Sequence, residues 1–276
     1  MNHLNKKPIS FILTILPPAL AVIMGAALFL ALRFDFRSDI GHFALGSPFF
    51  LIFVGCAILS AVLGAGIAFV TFKRNPKDTL PAAGGIGGVI FSAGAAFSAL
   101  LLFFMMLRDW ILVGGFTLPA IGETVLLPGI SAFFILGILS TKGSKLHGAA
   151  GLAACLSVNF LLFKSYFDFT LPLNSPIRNS VVVMEAALLV AFLAATGSIL
   201  GKVTFPVCCF ARFTAVSLMG GISLGLVLTA LFSKETLPAG VSVLRCVLCL
   251  LAAAAFLLQY PIPHENSEIQ LTSEEQ

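Results

Sequence analysis

From Pro8 to Leu32 the chain runs without a single charged side chain, and runs of the same kind recur almost to its end. A helix of about 20 apolar residues covers the roughly 30 Å of hydrocarbon in a bilayer. A soluble helix buries one face and shows charges on the other, so it has no use for unbroken stretches of this length. Composition agrees: 59% of the residues are hydrophobic and 10% are charged, where a soluble domain carries about 25% charged. The chain therefore reads as an all-α, polytopic transmembrane helical bundle.

Eight spans are expected, at about 8–32, 48–72, 85–107, 119–140, 147–164, 181–200, 213–232 and 239–260. Together they form one transmembrane domain over 1–260, followed by a polar, acidic tail over 261–276 that reads as disordered. The fourth span needs Pro119 in its first turn and holds Pro128 inside, so seven spans is the alternative. The first span follows Lys6-Lys7, as in a signal peptide, but its apolar run exceeds the 7–15 residues of that segment. It reads as an uncleaved helix, kinked at Pro17-Pro18.

Basic residues in short loops set orientation. With the N-terminus inside, the inner segments carry Lys6, Lys7, Lys73, Arg74, Lys77, Lys142, Lys145, Lys202 and Arg212. The outer loops carry fewer: Arg33, Arg37, Arg108, Lys164, Arg178 and Lys234. The bias places both termini in the cytoplasm. A net charge of +4 spread over 276 residues makes no nucleic-acid surface.

The sequence excludes several chemistries. Five of the six cysteines lie inside or at the ends of apolar runs and none sits in a long polar loop, which is not the loop framework that disulfides need. Cys246-x-x-Cys249 has no second pair or neighbouring histidine and reads as packing, as do the others; palmitoylation of Cys208-Cys209 is the alternative for that pair. His3, His42, His147 and His264 are scattered, with His147 at the very edge of the fifth span and the others outside the spans, which argues against a metalloenzyme. No phosphate-binding loop and no serine-nucleophile motif occurs. The chain reads as neither an enzyme nor a cofactor protein.

Thr-Leu-Pro occurs at 79–81, 117–119, 170–172 and 236–238. Proline suits a first helical turn, where its missing N–H costs nothing, so the triplet reads as repeated helix-start chemistry, with a degenerate internal duplication as the alternative. Small residues recur every four positions: Ser60, Gly64 and Ala68; Gly84, Gly88, Ser92 and Ala96; Ser217, Gly221 and Gly225. Such stripes let helix backbones approach closely. The segment from Pro81 to Gly88 is the best candidate for a broken helix.

Two charges stand well inside the runs, Glu185 and Arg245. Each costs on the order of 2.5–3.5 kcal/mol at a helix centre. Counted from the span starts, they lie at comparable depths near the outer surface. Asn159 and Glu123 share that level, so Glu123, Asn159, Glu185 and Arg245 would converge on a polar pocket. The connection after the fifth span would roof it. There Asp168 brings a charge, Asn174 and Ser175 bond turn backbone or cap the sixth helix, and Tyr166, Phe167 and Phe169 sit at the interface. Three readings stay open for the charges: snorkelling to water, a structural pair, or a ligand site.

The same connection, from Tyr166 to Arg178, has Phe167-Asp168 followed by Pro172-Leu173-Asn174-Ser175-Pro176. It resembles a loop of uncharacterised multi-pass membrane proteins of Gram-positive bacteria. The resemblance covers about a dozen residues. It implies a bacterial plasma-membrane protein and carries no activity. Two functions fit the whole: a permease for a small solute or ion with an outward polar pocket, or a non-catalytic component that assembles in the bilayer with a partner membrane protein or with its own copies.

Overall fold

The computed structural model describes residues 6–37, 41–72, 85–113, 118–139, 145–167, 175–233 and 241–259. They form eight helices: α1 (Lys6–Leu30), α2 (Pro48–Thr71), α3 (Ile86–Val113), α4 (Leu118–Leu139), α5 (Lys145–Tyr166), α6 (Pro176–Ile199), α7 (Phe205–Phe232) and α8 (Val243–Gln259). Six stretches are long and apolar enough to cross a membrane: Ile15–Asp35, Pro48–Thr71, Ile86–Leu112, Lys145–Tyr166, Pro176–Ile199 and Phe205–Phe232. In α4 and α8 the apolar stretches are shorter, Thr124–Leu139 and Val243–Leu258. The acidic tail and three of the four Thr-Leu-Pro triplets fall outside the described residues; at the other, Leu118-Pro119 opens α4.

Several boundaries move from their expected positions. α6 starts at Pro176 rather than 181, and α7 at Phe205 rather than 213; both have proline in the first turn. Proline there is preorganised for a helix and gives up no bond. A helix can thus begin among polar residues, before the apolar run that marks a span. α3 runs on to Val113 and includes Arg108 and Asp109, which pair at 2.9 Å on an exposed surface. α8 starts at Val243, later than 239.

Packing partners define the architecture. Consecutive helices from α3 to α8 pack on one another, and α8 returns to pack on α3. These six helices close a ring. α1 and α2 lie outside it, both against α7 and against each other. The contact between α1 and α7 depends on glycine. A Cβ at Gly221 would come within 2.9 Å of Met24, and one at Gly225 within 2.9 Å of the Gly25 carbonyl oxygen. The expected stripe of Ser217, Gly221 and Gly225 thus seats one backbone against another. α2 is the least buried of the six long apolar helices. Leu51, Ile58, Val62 and Phe69 stand outward on it, as suits a lipid-facing surface.

α1 passes through Pro17 and Pro18 and ends in a π-helical turn, Ala31–Asp35. A short hairpin follows, β1 (Phe36–Arg37) on β2 (His42–Phe43). Ser47 then caps α2: its Oγ accepts from the N–H of Phe50 at 3.1 Å and donates to Asp35 Oδ2 at 2.5 Å. At the other side of the ring Arg212, within α7, donates to the Leu257 carbonyl near the end of α8. The sequence places Arg212 in a loop; the early start of α7 turns it into a clamp on the last carbonyls of a neighbouring helix.

Candidate functional site

Three ring helices bring charge together. Arg245, two residues into α8, donates through Nη1 to Glu185 Oε1 on α6 at 3.5 Å. The same nitrogen reaches Ser165 Oγ on α5, also at 3.5 Å. Glu185 is only 1% exposed and the Arg245 side chain 12%. Glu185 therefore does not snorkel to water. Its charge is met inside the bundle, as a buried charge requires. Both distances sit at the long edge of hydrogen bonding.

The expected depths need correction. Glu185 stands nine residues past Pro176, about 14 Å along α6, whereas Arg245 is only about 3 Å into α8. The pair meets because α8 begins well below the head of α6. The two helices otherwise touch only lightly, since α8 packs chiefly on α3 and α7. The bridge between them therefore crosses the interior of the ring. So does the bond to Ser165, because α5 and α8 are not ring neighbours.

Beyond this cluster the interior turns aromatic. Phe133 and Phe134 of α4, Phe192 of α6 and Phe256 of α8 meet with ring centroids 5.1–6.2 Å apart. All four are fully buried or nearly so. His147, near the start of α5, lies against Phe133 at 4.7 Å. α4, α6 and α8 alternate around the ring, so these rings meet only through its centre. They close the interior on the side away from Tyr166.

The other expected site residues divide. Asn159 is half-buried on α5, and no hydrogen bond joins it to Glu185 or Arg245 among the described residues. Glu123 lies on α4 near the same level, because its neighbour Gly122 faces Phe160 of α5; its side chain is outside the described residues. Asp168 and Asn174 also lie outside them. Ser175 does occupy the N-cap position of α6, but its side chain makes no capping bond. Tyr166 and Phe167 are exposed at the end of α5, and Phe167 stacks parallel to Phe163.

Sequence reasoning missed two polar participants. Ser165, beside the aromatic Tyr166-Phe167, carries no signal of its own in the sequence. Arg178, expected in a loop, lies in the first turn of α6 and is 4% exposed. The signal for Arg178 was available: Ser175-Pro176 is the same helix-start pair as Ser47-Pro48. With the start set there, Arg178 and Glu185 fall seven residues apart on one face. Comparison with protein-family models, curated proteins and solved structures gives no match to this chain.

Proposed function

We propose that the protein is a permease for a small solute or ion, with Glu185, Arg245 and Ser165 as its binding cluster. The observation that carries this reading is a buried charged pair inside a helical ring, stacked on an aromatic seal. Intramembrane charges are costly, pair with one another, and recur along solute and ion pathways. A 3.5 Å contact suits a pair that opens to admit a ligand. In this reading the Tyr166 end faces outward from a bacterial plasma membrane, the aromatic cluster is the inner seal, and α6 and α8 are the helices that move. Their light mutual packing leaves them free to separate.

The test is thermal stability of the purified protein across a panel of ions and small metabolites, for wild type, Glu185→Gln, Arg245→Met and the double variant. A ligand at 100 times its Kd adds about 2.7 kcal/mol. One ligand should raise the melting temperature of wild type and lose that effect in both single variants. If none does, and the double variant is more stable than Arg245→Met alone, the pair is a structural tie. The partner-binding component then becomes the better reading.

A further inference from the structure

We infer that the head of α6 is a binding site for a phosphate-type anion, built from the Arg178 guanidinium and the first-turn backbone N–H groups. The first N–H groups of any helix lack intrahelical partners and carry the positive end of its dipole. In α6, Pro176 has no N–H to offer, Asn179 donates to the Ser175 carbonyl at 3.1 Å, and Ile177 and Arg178 supply the donors between them. Ser175 stands at the N-cap without accepting from either, and the first turn holds no acid. This is the arrangement in which helix starts take up anions.

A helix start alone does not make a site. The second observation is Arg178 itself. It is 96% buried, by its 4% exposure, and its Nη1 has no hydrogen-bond partner among the described residues. Side chains on a helix lean toward its N-terminus, so this guanidinium is directed at the end where the free N–H groups point. Its central carbon lies 5.7 Å from the centre of the Tyr166 ring, which closes α5 at that same end. An aromatic ring engages the face of a guanidinium and leaves its N–H edge for oxygen. The carboxylate on the same helix face is about 10 Å away and engaged with Arg245. Among the described residues on this face and facing it, the charge is therefore cationic in excess: Arg178 and Arg245 against Glu185.

A buried guanidinium nitrogen with no partner among the described residues, beside convergent backbone donors, calls for a ligand with several acceptor oxygens, which phosphate offers. The level also fits. At 24 residues α6 is about 36 Å long, more than the roughly 30 Å of hydrocarbon, so its head reaches the headgroup layer. The phosphate comes either from a phospholipid headgroup or from a soluble phosphate. The inference does not depend on transport, since an anion is held there whether or not anything crosses.

The experiment uses the full chain in detergent, with inorganic phosphate titrated against chloride at matched ionic strength. The expected result is a saturable rise in melting temperature for wild type and for Glu185→Gln. Arg178→Met should lose it, and Arg178→Lys should need roughly tenfold more phosphate, because lysine lacks the planar fork. The same preparations are weighed by native mass spectrometry to count retained phospholipids. A phosphate-induced shift identifies a soluble anion. No shift, but one more phospholipid retained by wild type than by Arg178→Met or Arg178→Lys, identifies a headgroup. If phosphate does not move wild type and wild type retains no extra phospholipid, the inference is wrong, whatever the variants do. Persistence of the phosphate response in Glu185→Gln separates this site from the permease cluster.

Discussion

Arg178 and Glu185 occupy the first half of one face of α6, and Leu188 and Phe192 the second half. All four are buried, but by different physics. In the first half each group needs a specific partner in a specific direction: Glu185 has Arg245, and Arg178 has the face of Tyr166. In the second half the requirement is shape, and Phe192 is met by rings from α4 and α8 at 5.1–5.7 Å. A missing partner in the first half leaves a charge buried in a low dielectric, whereas a missing ring in the second leaves a void. The two errors behave differently when a second residue is also removed, and that makes the comparison testable.

The largest losses are expected where the halves are broken outright. Phe192→Ala should cost about 3–5 kcal/mol, as large-to-small changes in a packed interior do. Adding Phe256→Ala should deepen the loss. Arg245→Met should cost a similar amount, about 3–5 kcal/mol, because the buried Glu185 loses its cation. Here the second change should reverse the first: Arg245→Met with Glu185→Gln should be more stable than Arg245→Met alone. Unfolding titrations of wild type, the two single variants and the two double variants read the sign of each second change, deepening the loss or reversing it. Equal signs in the two halves would dissolve the contrast.

The helical bundle and half of its polar cluster were legible in the sequence; the aromatic cluster was not. Long apolar runs announce helices because a bilayer fixes both their length and their polarity. Glu185 and Arg245 stood out for the same reason, as charges where none is cheap. Helix starts were harder. The first turn lies among polar residues at the interface, so the run that marks a span begins later than the helix. That shift put Arg178 in a loop and gave Glu185 too shallow a place. Ser165 was invisible because a serine between lysine and tyrosine carries no periodic signal; only the direction of Arg245 gives it a role. The convergence of Phe133, Phe134, Phe192 and Phe256 was beyond any one-dimensional reading, since it depends on alternate helices meeting across a ring.

Ser165→Ala sharpens the polar half at a smaller scale. It removes one of the acceptors of Arg245 Nη1 while leaving Glu185 in place. The expected loss is about 0.5–1.5 kcal/mol, the net value of one hydrogen bond. In the Arg245→Met background the same change should cost almost nothing, since its donor is gone. A loss of equal size in both backgrounds would assign Ser165 to packing of α5 alone.

The smallest effects separate two helix starts that look alike in sequence. Ser47-Pro48 opens α2 and Ser175-Pro176 opens α6, and both serines precede a first-turn proline. Ser47 closes its helix: it accepts from Phe50 and donates to Asp35. Ser175 leaves its helix start open and has a buried arginine where α2 has Phe50. Ser47→Ala should therefore cost about 0.5–2 kcal/mol, the usual loss of a working N-cap. Ser175→Ala should change stability by only a few tenths of a kcal/mol, below the range for losing a cap. Thermal melts of the two variants in phosphate-free buffer make the comparison. If Ser175→Ala proves as costly as Ser47→Ala, that serine closes α6 in solution. The first-turn N–H groups would then already be answered, and Arg178 would have no helix start to share with an anion.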